Sequence, residues 1–342
     1  MSRCVKYILL AFVAVACLCC SSGGGDVDDP NPSVYYWRTV FRLDSTERAF
    51  LSQHDVKRMY VRYFDVVSHK AVAHPNATIS FAQPVPEGIE VIPTIFIVNH
   101  CFRYDMDSIP EKLVDRVLQM NETNDVTGVR ELQIDCDWTS QTQDDYFAFL
   151  GKVRALLKEH GMRLSVTIRL HQLNLPPPPA DYGVLMMYNT GDFREKSDRN
   201  PILDYRDAYP YLKHLASYKL PLCSAWPCYS WNLLYSDNQF KGILYDVDLA
   251  DSNVYREVAP GRHVVISSRA LPEPNSDGSD MTWVNVGDSV ITVKPTASQI
   301  MHIVEAVEKE RPGINKQTII YSLDKKSIQN YDNEFYQTLL NR

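Results

Sequence analysis

The sequence predicts an α/β protein, a (β/α)8 TIM barrel that carries a β-rich insertion before its last strand. Eight segments have the composition of β-strands, and most are separated by a segment with apolar residues at helical spacing. The chain has 342 residues, a length that suits one such barrel. A doubly wound open sheet is the main rival, but the glycine fingerprint expected at its first turn is absent.

The predicted strands are rich in β-branched and aromatic residues. They begin near residues 34, 58, 91, 131, 163, 182, 220 and 318. The segment 91–99 is almost continuously apolar, which is typical of a strand buried on both faces. The segment 163–171 alternates strictly, so Arg169 and His171 share its polar face.

Helices are predicted between these strands. Pro110 stands in the first turn of one helix, and another covers residues 141–160 and ends before Gly161, a favourable C-terminal cap. Residues from about 240 to 296 contain strand-like pieces with no long helix between them, and we interpret them as the insertion. Residues 34–342 therefore form a single predicted domain.

Residues 1–17 are predicted to be a lipoprotein signal peptide. Two basic residues precede an apolar stretch that is too short to span a bilayer. Small residues before Cys17 resemble a bacterial lipobox, so Cys17 is the expected lipidation site. Cys19 and Cys20 follow and stay open as alternatives, as does an ordinary secretory signal. Residues 18–33 are rich in Gly, Ser, Asp and Pro and predict a flexible tether.

The expected location is the cell envelope, with the lipid anchoring the chain to the outer membrane. The acidic run after the cysteines resembles the export signal of surface lipoproteins, which favours surface exposure. A net charge of -7 argues against a nucleic-acid partner. Nucleotide-binding and zinc motifs are absent, so no cofactor or metal is expected.

Four cysteines remain in the body of the chain, Cys101, Cys136, Cys223 and Cys228. An exported protein can oxidise its cysteines, and Cys223 and Cys228 are close enough in sequence to be bridged. Cys136 is expected to be a buried thiol because it lies on the apolar face of its strand. No disulfide is predicted.

The segment Glu131–Thr139, ELQIDCDWT, carries two unusual acids. Glu131, Gln133, Asp135 and Asp137 alternate with apolar residues, so the two aspartates project from the same face of one strand. Aspartates are disfavoured in strands. An edge strand in contact with water is one explanation. The other is a barrel strand whose polar face lies at the barrel mouth, where the reactive residues of TIM barrels occur.

Polar and aromatic side chains follow the ends of the middle strands, and together they predict a sugar site. The expected catalytic residues are Asp135, Asp137 and Tyr188, and the expected substrate-binding residues are Asn99, His100, Arg169, His171, Asn189, Trp226 and Trp231. Carboxylates cleave glycosidic bonds, and aromatic rings stack on sugars. Some of these residues have a plainer explanation. Arg169 could serve only as a counter-charge to the acids, His171 could be a hydrogen-bonded histidine at the rim, and the two tryptophans could be structural packing.

Two segments resemble motifs of the chitinase-like glycoside hydrolases of family eighteen. ELQIDCDWT is similar to that family's acidic strand-four motif, and Met186-Met187-Tyr188-Asn189 is similar to its Met-x-Tyr-Asp motif with Asn for Asp. From Glu131 through Phe193 the chain also resembles a poorly characterised family of bacterial barrel lipoproteins related to glycosidases. Thr139 stands where the chitinase-like family carries its catalytic glutamate.

The resemblance implies roles for two residues. Asp137 would orient the substrate's N-acetyl group, and Tyr188 would donate a hydrogen bond to its acyl oxygen. Threonine at position 139 cannot serve as a carboxylic acid. Either Asp137 is the acid, with a pKa raised by Asp135, or the acid comes from another strand, or the site binds without cleaving.

Two functional hypotheses follow. The first is an envelope glycoside hydrolase-like lipoprotein that acts on a glycan through carboxylate acid/base chemistry. The alternative is a non-catalytic glycan-binding or structural barrel lipoprotein that has lost the general acid. Both predict a carbohydrate partner and a membrane anchor, and neither predicts an oligomeric state.

Overall fold

The computed structural model describes residues 31–194, 197–272 and 281–342. The predicted signal peptide, the Cys17 lipidation site and most of the predicted tether lie outside the described residues. Within the described ranges, no helix combines the length and the apolar character needed to cross a bilayer.

Strands make up the larger share of the described elements. In chain order they are β1 Ser33–Tyr36, β2 Val40–Phe41, β3 Arg58–His69, β4 Val72–Asn76, β5 Ser80–Phe81, β6 Glu90–Ile97, β7 Glu131–Asp135, β8 Arg163–Ile168, β9 Tyr182–Met186, β10 Leu222–Pro227, β11 Trp231–Ser236, β12 Gln239–Leu244, β13 Tyr255–Ala259, β14 Arg262–Val265, β15 Arg269–Pro272, β16 Met281–Val284, β17 Ser289–Val293 and β18 Thr318–Tyr321.

The α-helices occupy mainly the connections between the barrel strands. They are α1 Ser45–Gln53, α2 Ile109–Thr123, α3 Gln143–Glu159, α4 Tyr205–Leu212, α5 Ala297–Glu310, α6 Lys325–Ile328 and α7 Asn333–Leu340. Short 3-10 turns lie at Asn99–Arg103, Leu170–Asn174 and Leu215–Ser217.

Eight parallel strands close into a barrel, as the sequence predicts. Their order around the barrel is β1, β3, β6, β7, β8, β9, β10 and β18, and β1 pairs in parallel with both β3 and β18. Ser33 is thus aligned with Arg58 on one side and with Ile319 on the other. The carboxyl ends of all eight strands therefore meet at one end of the barrel, which we call the mouth, and their amino ends meet at the floor.

An antiparallel sheet is inserted between β10 and β18. Its order is β12, β11, β17, β14 and β13, and β15 pairs antiparallel with β16 in a separate two-stranded sheet. The first of these strands begins at Trp231, earlier than the predicted position near 240. Buried residues of this sheet, including Leu234, Val254 and Val290, form a small core of their own. β4, which was not predicted from the sequence, pairs antiparallel with the extended end of β3.

Local signals fix several helix ends. Asp44 and Glu47 form a reciprocal capping box at the start of α1, and Thr296 caps α5 through the backbone of Gln299. Gly161 follows α3 with a φ of +67°, a conformation that costs glycine little. These short-range hydrogen bonds explain why the helix ends could be predicted from neighbouring residues.

The barrel interior is lined by polar side chains that satisfy one another. Tyr35 donates a hydrogen bond to Gln133 at 2.7 Å, and Tyr182 donates to Glu131 at 2.5 Å. The hydroxyls of Tyr60 and Tyr182 are 2.8 Å apart. The polar face of β7 therefore points into the barrel and not to water. Such pairing is required because a buried polar group without a partner costs free energy.

The four cysteines of the body are free thiols, and all four are buried. Burial raises the pKa of Cys223 and of Cys228, which makes each thiol a poor nucleophile at neutral pH.

Candidate active site

Asp135 and Asp137, the acid pair, lie at the mouth end of β7. Asp135 is the last residue of the strand and is 3% exposed. Asp137 follows two residues later, and 55% of its side chain is exposed. The two acids therefore occupy the same wall of the barrel at different depths, Asp135 inside and Asp137 at the rim.

Arg169 joins the two acids. It follows the end of β8, the strand that pairs with β7, so the parallel register brings its side chain to the same edge. Its Nε donates to Asp137 Oδ1 at 2.5 Å and its Nη2 donates to Asp135 Oδ1 at 3.3 Å. One guanidinium thus supplies the counter-charge for both carboxylates, the arrangement that paired acids in a closed mouth require.

The pKa of Asp135 is raised above the ordinary aspartate value. The main cause is burial, which disfavours the charged form. The positive charge of Arg169 opposes this effect, the negative charge of Asp137 adds to it, and a hydrogen bond from Thr167 Oγ1 at 2.6 Å opposes it again. The buried acid is therefore the one whose environment favours a retained proton.

A row of partly exposed or buried rings, which we call the aromatic arc, lies at the mouth beside the acids. Its members are Trp37, Tyr188, Tyr229, Trp231 and Tyr321. Tyr321 is central: its ring centroid is 4.7 Å from that of Tyr188, 5.8 Å from that of Tyr229 and 5.9 Å from that of Trp37. Trp231 extends the arc from Tyr229 at 5.4 Å.

Tyr188 connects the arc to the charged groups. The Arg169 guanidinium lies 6.0 Å from its ring centroid, within cation–π distance. Its hydroxyl donates to the Met186 sulfur at 3.0 Å. Tyr188 as a whole is 6% exposed. Burial raises the pKa of Tyr188 well above its usual value, so the hydroxyl remains protonated at neutral pH.

Two asparagines predicted for the site accept hydrogen bonds from side chains of neighbouring segments. Asn189 has a φ of +56° and accepts a hydrogen bond from Tyr229 at 2.6 Å, so it holds one ring of the arc. Asn99 accepts a hydrogen bond from Thr142 at 2.6 Å. Thr142 Oγ1 also accepts from the backbone N–H of Thr139 at 3.2 Å, and Thr139 itself is exposed at the rim.

The two predicted histidines are not joined to the acid pair. His100 is exposed on a 3-10 turn, and its Nε2 lies 3.0 Å from the Tyr104 hydroxyl. His171 is exposed on the turn after β8. In the described part of the chain, neither histidine has a hydrogen bond or an ion pair with Asp135 or Asp137.

Trp226 is not a sugar platform, contrary to the prediction. It is 0% exposed, and its Nε1 donates to Ser224 at 2.9 Å. Ser224 in turn donates to Asn315 at 2.7 Å, and Asn315 donates to a backbone carbonyl of α5. Trp226 therefore lies on the helix-facing side of β10, because alternation in the strand points every second residue away from the interior.

The first, second and last strands of the barrel carry further residues of the mouth that were not predicted from the sequence. Trp37 follows β1, the ion-paired Arg62 and Asp65 lie in β3, and Tyr321 ends β18. Arg62 is 5.6 Å from the Trp37 ring centroid. These residues could have been found from the sequence. Mouth residues lie at the carboxyl ends of all eight barrel strands, but candidates were taken from the ends of only five.

Comparison with solved structures finds chitinases and a spore cortex-lytic enzyme. A chitinase from Chromobacterium violaceum has a TM-score of 0.55 at 12% identity, covering 92% of this chain and 100% of that one. The spore cortex-lytic enzyme SleL of Bacillus megaterium has a TM-score of 0.53 at 11% identity, covering 91% and 73%. The Group IV chitinase of Ostrinia furnacalis, in complex with allosamidin, has a TM-score of 0.50 at 9% identity, covering 91% and 98%.

These similarities show the fold, a chitinase-like α/β barrel, and at such low identity they show the fold alone. A scan against models of protein families finds no match. A search of curated proteins finds no match either.

Proposed function

We propose that this chain is a glycan-binding protein whose ligand occupies the barrel mouth between the acid pair and the aromatic arc. The observation that carries the proposal is the position of Arg169, which is ion-paired with Asp137 and lies 6.0 Å from the Tyr188 ring that stacks on Tyr321. A pyranose ring has apolar C–H faces and a hydroxyl edge. The rings suit the faces, and the carboxylate and guanidinium suit the edge.

Three features favour binding over bond cleavage. Thr139 stands at the position where the chitinase-like family carries its general acid, and a hydroxyl is too weak an acid for that role. Asp135 is almost completely buried, so a glycosidic oxygen cannot readily reach it. Asp137 is accessible, but its carboxylate is held in an ion pair by Arg169.

Hydrolysis by the acid pair is the second candidate, and one observation favours it. Burial raises the pKa of Asp135, and a raised pKa is what a carboxylic acid needs to donate a proton near neutral pH. In this mechanism a movement of Arg169 would expose Asp135, which would protonate the leaving oxygen, while Asp137 would take a proton from the water that attacks the anomeric carbon.

The solved neighbours support a carbohydrate ligand. One of them is a chitinase in complex with allosamidin, and another is a spore cortex-lytic enzyme. We extend to this chain only the class of ligand, a glycan, because the Thr139 difference removes the acid on which the resemblance to the chitinase-like family depends.

A panel experiment tests the proposal. The full chain is assayed for hydrolysis of chromogenic glycosides and of bacterial and host glycans, and the same glycans are arrayed for binding. We expect binding of at least one glycan without turnover. Turnover that Asp137→Asn or Asp135→Asn abolishes would favour the hydrolase, and absence of both binding and turnover would remove the glycan proposal.

A matched pair of variants assigns the binding to the mouth. Asp137→Asn removes a charge that the proposal places on the sugar's hydroxyl edge, whereas Asp115→Asn removes an exposed charge on α2. The first change should weaken glycan binding by about tenfold and the second should leave it unchanged. Equal weakening by the two variants would show that glycan binding depends only on the net charge of the protein.

We also propose that the chain is a lipoprotein of the cell envelope, anchored through Cys17 to the outer membrane. Labelling cells with a tagged fatty acid should modify the wild type and not Cys17→Ala. Label retained in Cys17→Ala but lost in Cys19→Ala or Cys20→Ala would move the anchor to that residue.

A further inference from the structure

A polar cavity lies at the floor of the barrel, at the opposite end from the acid pair. The amino ends of β3, β6 and β8 bring Arg58, Glu90 and Arg163 to an open cavity of about 530 Å³. Arg130 and Lys158 complete its charged lining. Four cationic side chains thus line a cavity with one carboxylate, in a chain whose net charge is -7.

The carboxylates at the floor bind the arginines through Nε. Glu90 accepts from Arg58 at 3.0 Å and from Arg130 at 3.2 Å, and the buried Glu131 accepts from Arg163 at 2.9 Å. Among the described residues, the terminal guanidinium nitrogens of Arg130 and Arg163 donate to no protein acceptor. Their outer donors are therefore available to a ligand in the cavity.

We propose that this floor cavity binds a phosphate group. Paired N–H donors of a guanidinium match the spacing of phosphate oxygens, and a lysine ammonium adds a third donor and a charge. Glu131 also accepts hydrogen bonds from Ser165 at 2.6 Å and from Tyr182. These contacts hold the Arg163 side chain in place, so it needs little reordering when an anion binds.

A purely structural role does not account for all four cations. Arg58 pairs with the partly exposed Glu90, Arg163 pairs with the buried Glu131, and Lys158 offsets the partial negative charge at the end of α3. Arg130 is different: 69% of its side chain is exposed, and within the described part of the chain it pairs only with Glu90, which Arg58 already neutralises. Its charge is surplus to the floor and is available to an anion.

The point where the N-terminal segment joins the barrel indicates one source of the phosphate group. The Pro32 carbonyl accepts a hydrogen bond from the Lys57 backbone at 3.1 Å, so the N-terminal segment joins the barrel beside Arg58, at the floor. If the chain is anchored through Cys17, residues 18–30 span at most on the order of 45 Å. The floor is then the face kept nearest the bilayer, and phosphate groups of anionic lipids are within reach. The glycan proposal is independent of this inference.

The test compares two arms for the full chain and for Arg130→Gln/Lys158→Gln. Inorganic phosphate is titrated by calorimetry, and protein is co-floated with phosphatidylcholine vesicles with and without phosphatidylglycerol. We expect the double variant to weaken phosphate binding by about tenfold or more, with a Tm close to that of Arg256→Gln/Lys309→Gln. A gain in co-flotation with phosphatidylglycerol that the double variant loses would identify lipid headgroups as the source. Binding of inorganic phosphate without any gain in co-flotation would identify a soluble phosphate compound as the ligand.

The matched control is Arg256→Gln/Lys309→Gln, which removes the same two charges from an exposed position on β13 and from the last turn of α5. It should bind phosphate as the wild type does. Two results would overturn the proposal. One is the absence of phosphate and phosphatidylglycerol binding in the wild type. The other is phosphate binding that survives the floor variant and is lost in Arg169→Gln, which would place the anion at the mouth.

Discussion

The ring of Tyr188 stacks on that of Tyr321, with centroids 4.7 Å apart and planes 28° from parallel. Tyr188 comes from the segment after β9 and Tyr321 is the last residue of β18, so the contact spans the strand β10 that lies between them. Tyr188 also lies within cation–π distance of Arg169, so under the proposed function a sugar face would rest on this pair of rings beside the acid pair.

Tyr321→Ala should weaken glycan binding. The change removes the half-buried ring that contacts Trp37, Tyr188 and Tyr229, with an expected loss of about 1 kcal/mol, or roughly fivefold in Kd. Tyr321→Phe keeps the ring and should bind as the wild type does. Calorimetry with a glycan found on the array measures both. Equal weakening in the two variants would show that the hydroxyl, and not the stack, contributes the binding.

Arg169→Gln should destabilise the fold, because it leaves the buried Asp135 without its counter-charge. Removing one partner of a buried pair costs about 3 kcal/mol. In the double variant Arg169→Gln/Asp135→Asn most of that loss should be recovered, because no buried charge remains. Urea denaturation of the two single variants and the double variant measures the coupling. Additive effects would contradict the interpretation of Arg169 as the counter-charge.

Stability should depend on pH through Asp135. Its folded-state pKa is raised above the ordinary value of 3.8, so the folded state holds the proton more tightly than the unfolded state. The contribution of Asp135 is therefore fully present below pH 3.8 and is lost as the pH rises through the folded-state pKa. Free energies of unfolding measured across this window should fall more steeply for the wild type than for Asp135→Asn.

Thr167→Val provides the control for that measurement. The threonine hydroxyl donates to Asp135 and opposes the rise in pKa, so its removal should move the steep part of the stability curve to higher pH. Identical curves for Thr167→Val, Asp135→Asn and the wild type would show that another group causes the pH dependence.

Thr139→Glu should create or raise hydrolytic activity if the chain binds a glycan in the proposed orientation. Thr139 is exposed at the rim, two residues beyond Asp137, where a carboxylic acid could approach the ligand. A positioned general acid contributes about 10²–10⁴-fold. Release of reducing ends from a glycan found on the array is the measurement, and Thr139→Gln, which cannot donate a carboxyl proton, should stay inactive. Turnover by the glutamine variant would rule out this explanation.

Gly183→Ala should destabilise the barrel. A Cβ at Gly183 in β9 would lie 2.8 Å from Ile168 Cγ1 and 2.9 Å from Leu222 Cδ2, closer than real contacts. Overpacking of this kind costs about 1–3 kcal/mol. Gly151→Ala, in α3 with open space around the new Cβ, should instead stabilise by about 0.5–1 kcal/mol. Thermal melts compare the two variants, and a neutral Gly183→Ala would show that the leucine and isoleucine termini move aside freely.

Much of the candidate site followed from the alternation of a single strand. Asp135 and Asp137 share one face because side chains alternate along a strand, and that relation requires no knowledge of the rest of the chain. The placement of Arg169 beside them could be proposed because β8 follows β7 and parallel neighbours share an edge. Trp226 was assigned wrongly because an aromatic strand residue has the same sequence signature whether it faces the interior or the helices.

The sequence by itself determined the strand-and-helix order, the alternation that puts the acids of β7 on one face, and the helix caps, since each depends on residues a few positions apart. Only the tertiary structure decided that Asp135 is buried while Asp137 is exposed, that Tyr321 from the last strand stacks on Tyr188, and that four cations meet at the floor. These relations join residues tens to hundreds of positions apart. They are set by barrel closure and the depth of each side chain, which no local pattern encodes.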